Sequence, residues 1–135
     1  MRSSEHLLAS VPATALALAA VRRQCSRTRL AILGAYGLGL GVFIDLDHFL
    51  IARVYAGDWH HLTGALRNPI AAFSEQEGIF DDIRDMMYER LLTHVLVGGV
   101  LIGLAEGFSR PLAVVTAVVL HCHLLCDFLR DNRIL

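Results

Sequence analysis

The chain has no lysine, and all 12 of its basic residues are arginine. That excludes any mechanism built on a Schiff-base or P-loop lysine, and the bias reads as genomic rather than functional. Cysteine is scarce. Cys25, Cys122 and Cys126 cannot all pair within one chain, and no Cys-x-x-Cys pair marks a zinc ribbon or redox motif. Cys122 and Cys126 stand one helical turn apart in an apolar stretch, where free cysteine ordinarily packs as a small hydrophobe. No Gly-x-Ser-x-Gly occurs, which argues against a serine hydrolase. A net charge of -1 leaves no basic surface to neutralise phosphates, so nucleic acid is not an expected partner. A cleaved signal peptide is not expected either. Glu5 and His6 precede the first apolar run, and no small-residue cleavage site leads into a soluble domain.

What the chain does have is apolar sequence. A hydrophobic fraction of 55% and a mean hydropathy of +0.52 stand above soluble domains and predict a single helical membrane domain over residues 1–135. Four segments, 7–21, 30–44, 91–105 and 111–126, are apolar on nearly every face. Flanking His, Asp and Arg positions extend each towards the roughly 20 residues that a spanning helix needs. Glycine in a soluble helix interior costs about 1 kcal/mol relative to alanine, whereas membrane helices use small residues for close backbone approach. Helix packing is therefore predicted for Gly34, Gly37, Gly39, Gly41, Gly99 and Gly103.

The connections are an arginine-rich turn (Arg22, Arg23, Arg27, Arg29), a polar stretch from 56 to 88, and a tight turn at Ser109, Arg110 and Pro111. The predicted fold is all-α: a four-helix integral membrane bundle, multi-pass in the cell membrane, with a long polar loop between helices two and three. An amphipathic helix over 79–90 is expected to rest on the bilayer surface. The arginine-rich turn and Arg110 point to the cytoplasm by the positive-inside tendency.

An up-down-up-down path places the starts of helices one and three beside the ends of helices two and four. His6, then Asp45, Asp47 and His48, then Glu89 and His94, then His123 and Asp127 all fall on that one face. Ionisable groups near hydrocarbon cost about 3 kcal/mol each on insertion scales, so they are paired, metal-bound or functional. Imidazole and carboxylate donors together suit zinc, iron or manganese, and zinc is the default for a hydrolytic site without thiolates. His123 and Asp127 share a helical face, as do Asp45 and His48. Asp47, two residues from Asp45, belongs to the opposite face of a continuous helix, so both carboxylates serve one site only if the helix frays there or a second metal is present; His121 stands in the same relation to His123 and is left out of the site. The blander alternatives are interfacial histidines and an Asp127–Arg130 ion pair. His60 and His61, beside Trp59, are predicted to form a solvated or interfacial patch.

These residues carry a resemblance. His6, Asp45-Leu46-Asp47-His48, Arg90-Leu91-Leu92-Thr93-His94 and His123-Leu124-Leu125-Cys126-Asp127 resemble, in order and spacing, the YdjM-like family of membrane-associated metal-dependent hydrolases. That family is itself distantly similar to zinc-dependent phospholipase C. The resemblance implies His6, Asp45, Asp47, His48, His94, His123 and Asp127 as metal ligands or acid/base groups. Ile44 stands where the family has proline, and Glu89 where it has the first histidine of a His-Arg-x-x-Thr-His segment. Glutamate also binds hard or borderline metals, but the exchange bears on metal identity and activity.

The expected function is a metal-dependent hydrolase at the membrane surface, acting on a phosphoester or lipid-like substrate. Asp45, Asp47 or Glu89 would be the general base, with Arg90 steadying a developing anion. The rival readings are a non-catalytic membrane protein holding a structural or transported metal and a haem-binding bundle using histidine pairs.

Overall fold

A computed structural model describes residues 3–74, 76–80, 83 and 87–134, and among these every regular element is helical. The order is α1 (Ser3–Val21), α2 (Arg27–Phe43), α3 (Asp47–Ala56), α4 (His60–Arg67), α5 (Pro69–Ser74), α6 (Gln76–Ile79), α7 (Met87–Phe108) and α8 (Arg110–Asp131), with 3-10 turns at Arg22–Gln24 and Ile44–Leu46. The helix ends follow local chemistry. The Ser26 hydroxyl accepts from the Arg29 amide at the start of α2, and the Ser109 hydroxyl accepts from the Leu112 amide at the start of α8. Each satisfies a donor that the first turn leaves unpaired. Pro111 follows where a missing N–H costs nothing, and Asn68 with Pro69 repeats the arrangement at α5. Gly57, at φ +81°, ends α3 in the left-handed conformation while its amide bonds the Arg53 carbonyl.

The four predicted apolar segments correspond to α1, α2, α7 and α8. Helix α1 packs against α2 and α8, and α7 against α8. The core between the first three is built from small and β-branched side chains: Ala13, Ala17, Val21, Leu33, Val115 and Val119. Two glycines set the approach of α2 to α1. A Cβ on Gly37 would stand 2.8 Å from the Thr14 hydroxyl, and one on Gly41 would stand 2.7 Å from the Ser10 Cβ. Gly34 lies against Leu18. The packing role predicted for the other three does not hold. Among the described residues, a Cβ on Gly39 would meet Phe43 of its own helix and one on Gly99 or Gly103 would meet nothing within 4 Å, whereas one on Gly98 of α7 would meet Leu120 of α8.

The long polar loop is also corrected. Helix two does not end at 44: the Ile44–Leu46 turn passes directly into α3, giving a 30-residue helical run over Arg27–Ala56. The stretch beyond it is largely folded into α4, α5 and α6. The sequence suggested a loop because its polar residues mask short helices whose apolar faces are only a turn or two long. Of the helix predicted over 79–90, residues 81, 82 and 84–86 lie outside the described residues, and α7 begins at Met87.

Three helical runs, Arg27–Ala56, Tyr88–Phe108 and Arg110–Asp131, are long and apolar enough to cross a membrane. Their outward faces carry large apolar side chains such as Ile32, Leu96, Val100, Leu104 and Phe108. The buried positions include many alanines and valines, a few larger apolar side chains and a set of histidines and aspartates; with so much large apolar surface outside, the pattern is consistent with membrane association.

Candidate metal centre

At 1.5 Å per residue, His6, Asp45, His94, His123 and Asp127 stand about 20–27 Å along their helices from the arginine-rich end. They meet near the opposite face of the bundle, as the up-down path predicts. His6 comes from α1, Asp45 from the 3-10 turn, Asp47 and His48 from the first turn of α3, His94 from α7, and His123 and Asp127 from α8. All seven are buried, Asp127 completely. The 3-10 turn resolves the problem of Asp47. Its tighter winding breaks the 100° step of the α-helix, so Asp45, Asp47 and His48 all turn inward.

The ring orientations are set from outside the cluster. His123 Nδ1 donates to the Gly41 carbonyl at 2.9 Å, and His94 Nδ1 donates to Asp47 Oδ2 at 2.7 Å. In each neutral imidazole this leaves Nε2 as a lone pair pointing inward, an outer-partner arrangement common around metal-bound histidines. His94 Nε2 and His123 Nε2 each lie 3.2 Å from Asp45 Oδ1, and His123 Nε2 lies 3.4 Å from Asp127 Oδ2. His6 Nε2 is 3.3 Å from Asp127 Oδ1 and 3.7 Å from Asp45 Oδ2, and His48 Nε2 is 3.6 Å from Asp45 Oδ1.

With those nitrogens unprotonated, acceptors face acceptors across gaps that a cation could fill. A tetrahedral metal with bonds of about 2.0–2.2 Å holds its donors about 3.3–3.6 Å apart, close to these separations. Asp45 Oδ2, His48 Nε2 and His123 Nε2 are buried atoms without a hydrogen-bond partner among the described residues, which such an ion would satisfy. His6, Asp45, His123 and Asp127 offer donor atoms that all lie within 4.8 Å of one another, as do Asp45, His48 and His94. Either group could hold a metal ion.

Other predicted site residues are placed differently. Glu89 is not gathered into the cluster: its carboxylate accepts from the Tyr55 hydroxyl at 2.6 Å. Arg90 is ion-paired with Asp131, and its charge is also felt by Asp127 and Asp45. Arg130 pairs with Glu5 of α1 at 3.2 Å, while Asp127 on the same helix points to His6 and His123. His121 is exposed and bonded to the Ala117 carbonyl, outside the site as its spacing implies. Cys122 and Cys25 pack against the core. The His60–His61 patch is split. His60 is exposed and bonded to Asp58, but His61 is buried and stacked on Phe80, centroids 5.6 Å apart. Phe80 in turn meets His48 and Phe49, so it covers the α3 side of the cluster. Neither Phe80 nor the Gly41 carbonyl carried a signal in the sequence, because each acts through position alone. The His6 and His123 rings are stacked with centroids 3.9 Å apart, which leaves no room for a haem between that pair.

Fold and site together define a class: an all-helical chain with three helices able to cross a membrane and a buried His/Asp cluster able to hold a metal. No family model, curated protein or solved structure matches the chain.

Proposed function

We propose that the protein is a multi-pass membrane hydrolase of the YdjM-like type, with α1 as a fourth span and a divalent metal, zinc by donor chemistry, at the cluster. The observation that carries the reading is the convergence of buried His6, Asp45, His123 and Asp127 from separate parts of the chain, with donor atoms within 4.8 Å of one another. Holding such carboxylates in a low-dielectric interior without a cation is costly. A metal bound there supplies Lewis-acid polarisation of a scissile phosphoester and activation of water.

The chain's own groups complete the chemistry. Asp47 Oδ2 orients His94, while Oδ1 is buried without a hydrogen-bond partner among the described residues and faces the cluster's His48 at 3.8 Å. That atom is placed to take a proton from an attacking water. Glu89, occupied by Tyr55, is not so placed. An amphipathic substrate is favoured by a cavity of about 270 Å³ lined by Phe43, Leu46, Phe49, Leu62 and Leu66, with Asp45 as its charged lining residue. An acyl chain in that cavity would set a headgroup phosphoester near the cluster.

A second reading has its own support. His6, Asp45, His123 and Asp127 make four protein donors, the number that closes a structural metal site. Elemental analysis of detergent-purified protein and of a His123→Ala, Asp127→Ala double variant, followed by a screen of phosphoester and phospholipid substrates, separates the readings. The hydrolase reading expects a stoichiometric metal lost in the double variant, and turnover lost with it. A folded, metal-free wild type overturns any metal role; a metal-loaded protein inert to every phosphoester supports the structural role.

A further inference from the structure

The metal cluster makes no use of α4 and α5, yet their sequence is patterned. Leu62, Ala65, Leu66, Pro69, Ile70 and Phe73 recur at intervals of three or four residues, the spacing of one helical face. In the structure this face is divided. Ala65 is buried and Leu62 half-buried beside the cavity that contains Asp45, whereas Leu66, Ile70 and Phe73 are exposed, Ile70 by 80%. Thr63, Arg67 and Asn68 supply an exposed polar side. The outward apolar side chains do not form an isolated patch. Leu66 and Phe73 line the same cavity as Phe43 and Leu46, which are exposed on the Arg27–Ala56 run. The apolar surface of α4 and α5 is therefore continuous with that of a helix able to cross a membrane. At the start of α4 stands half-exposed Trp59, with the Arg53 guanidinium 5.7 Å from its ring centroid. Tryptophan and arginine together suit the headgroup level of a bilayer.

We propose that α4 and α5 form an interfacial element whose outward apolar side chains are covered by the acyl chains of the leaflet on the cluster side. An amphipathic face of this kind sinks about 5–10 Å past the headgroups, while Arg67 extends its guanidinium back to them. The cavity that contains Asp45 then opens into lipid instead of water, and a ligand reaches the cluster sideways from the leaflet. The inference rests on the membrane placement proposed above and not on the hydrolase chemistry.

The test uses full-length protein reconstituted in phosphatidylcholine vesicles. Trp59 is the chain's single tryptophan, so Ile70→Trp and Val100→Trp, each in a Trp59→Phe background, report one position at a time. The indole of the Ile70→Trp variant is expected to emit at short wavelength and to lose emission to lipids brominated on the acyl chain, but not to iodide in the water. Quenching by iodide overturns the proposal. Resistance to both quenchers also overturns it, because a second copy or another protein then covers the face. Val100 is an exposed residue of α7, and its variant is the control for the membrane placement. If brominated chains quench the control and not the Ile70→Trp variant, the placement stands and this proposal alone fails; if they quench neither, the placement fails as well. Wild-type Trp59 gives a reading without any substitution. Its largest loss of emission is expected from bromines nearest the headgroup, and no loss to any brominated lipid overturns the interfacial seating.

Discussion

Gly41→Ala adds one methyl group and removes no ligand, yet it should weaken the metal centre. The new Cβ would overlap the Ser10 hydroxyl and stand 2.7 Å from the Ser10 Cβ, with Val119 3.5 Å away on the other side. Two site histidines depend on this spot. The Ser10 hydroxyl bonds the His6 carbonyl at 2.7 Å, and the Gly41 carbonyl receives His123 Nδ1 at 2.9 Å. Overpacking costs about 1–3 kcal/mol, and a displaced Ser10–His6 bond about 1 kcal/mol more. The helix preference for alanine over glycine returns about 1 kcal/mol. The net loss is about 1–3 kcal/mol, and each 1.4 kcal/mol felt at the site weakens metal binding about tenfold. The assay is unfolding in mixed micelles followed by circular dichroism, alongside Zn²⁺ titration. Ser10→Gly in the Gly41→Ala background should recover metal affinity, whereas Ser10→Ala, which keeps the crowding Cβ, should recover less. Gly99→Ala is the control: nothing lies within 4 Å of its Cβ, so it should be neutral or stabilising by up to about 1 kcal/mol. Wild-type stability and metal affinity in Gly41→Ala would refute the reasoning, as would equal damage from Gly99→Ala.

Asp47→Asn removes the carboxylate that orients His94 and should weaken metal binding about 10- to 100-fold, measured by competition with a chromophoric chelator; unchanged affinity would deny Asp47 a positioning role. Glu89→Gln should leave metal content and affinity at the wild-type level, because Glu89 serves Tyr55 outside the cluster; loss of bound metal on elemental analysis would return it to the site. Asp58 is held below the usual aspartate range, first by the His60 amide that donates to it and then by the His60 ring. A lowered folded-state pKa means that the Asp58–His60 link is fully present above the ordinary aspartate value and is lost as pH falls through the depressed one. Carbon-detected NMR titration should give an Asp58 midpoint below that of a model peptide, and a midpoint at or above it contradicts the link.

The four long helices were legible because their signal is local. A run such as 111–126 is apolar on every face, and that property belongs to the residues themselves, with Ser109 and Pro111 marking where α8 starts. The gathering of His6, His48, His94 and His123 at one end was also legible, since alternating direction is dictated by short connections and helix length converts residue number into depth. The spacing of Asp45 and Asp47 left their convergence conditional on a break in the helix, because periodicity assumes one continuous α-helix, and the 3-10 turn at Ile44–Leu46 is that break. Glu89 misled for the opposite reason: its position in the sequence is right, but Tyr55 from α3 takes its carboxylate.

The sequence by itself determined the four long apolar helices, how far along them each ionisable group lies, and that histidine and aspartate share one end. Only the tertiary structure decided that Gly41 offers its carbonyl to His123, that Asp47 orients His94, and that Asp45 faces His6 with one oxygen and His48, His94 and His123 with the other. Those relations depend on the rotation of each helix about its axis and on how closely α1 approaches α2. Both are set by contacts between residues distant in the chain, such as Ser10 with Gly41, and no local pattern encodes them.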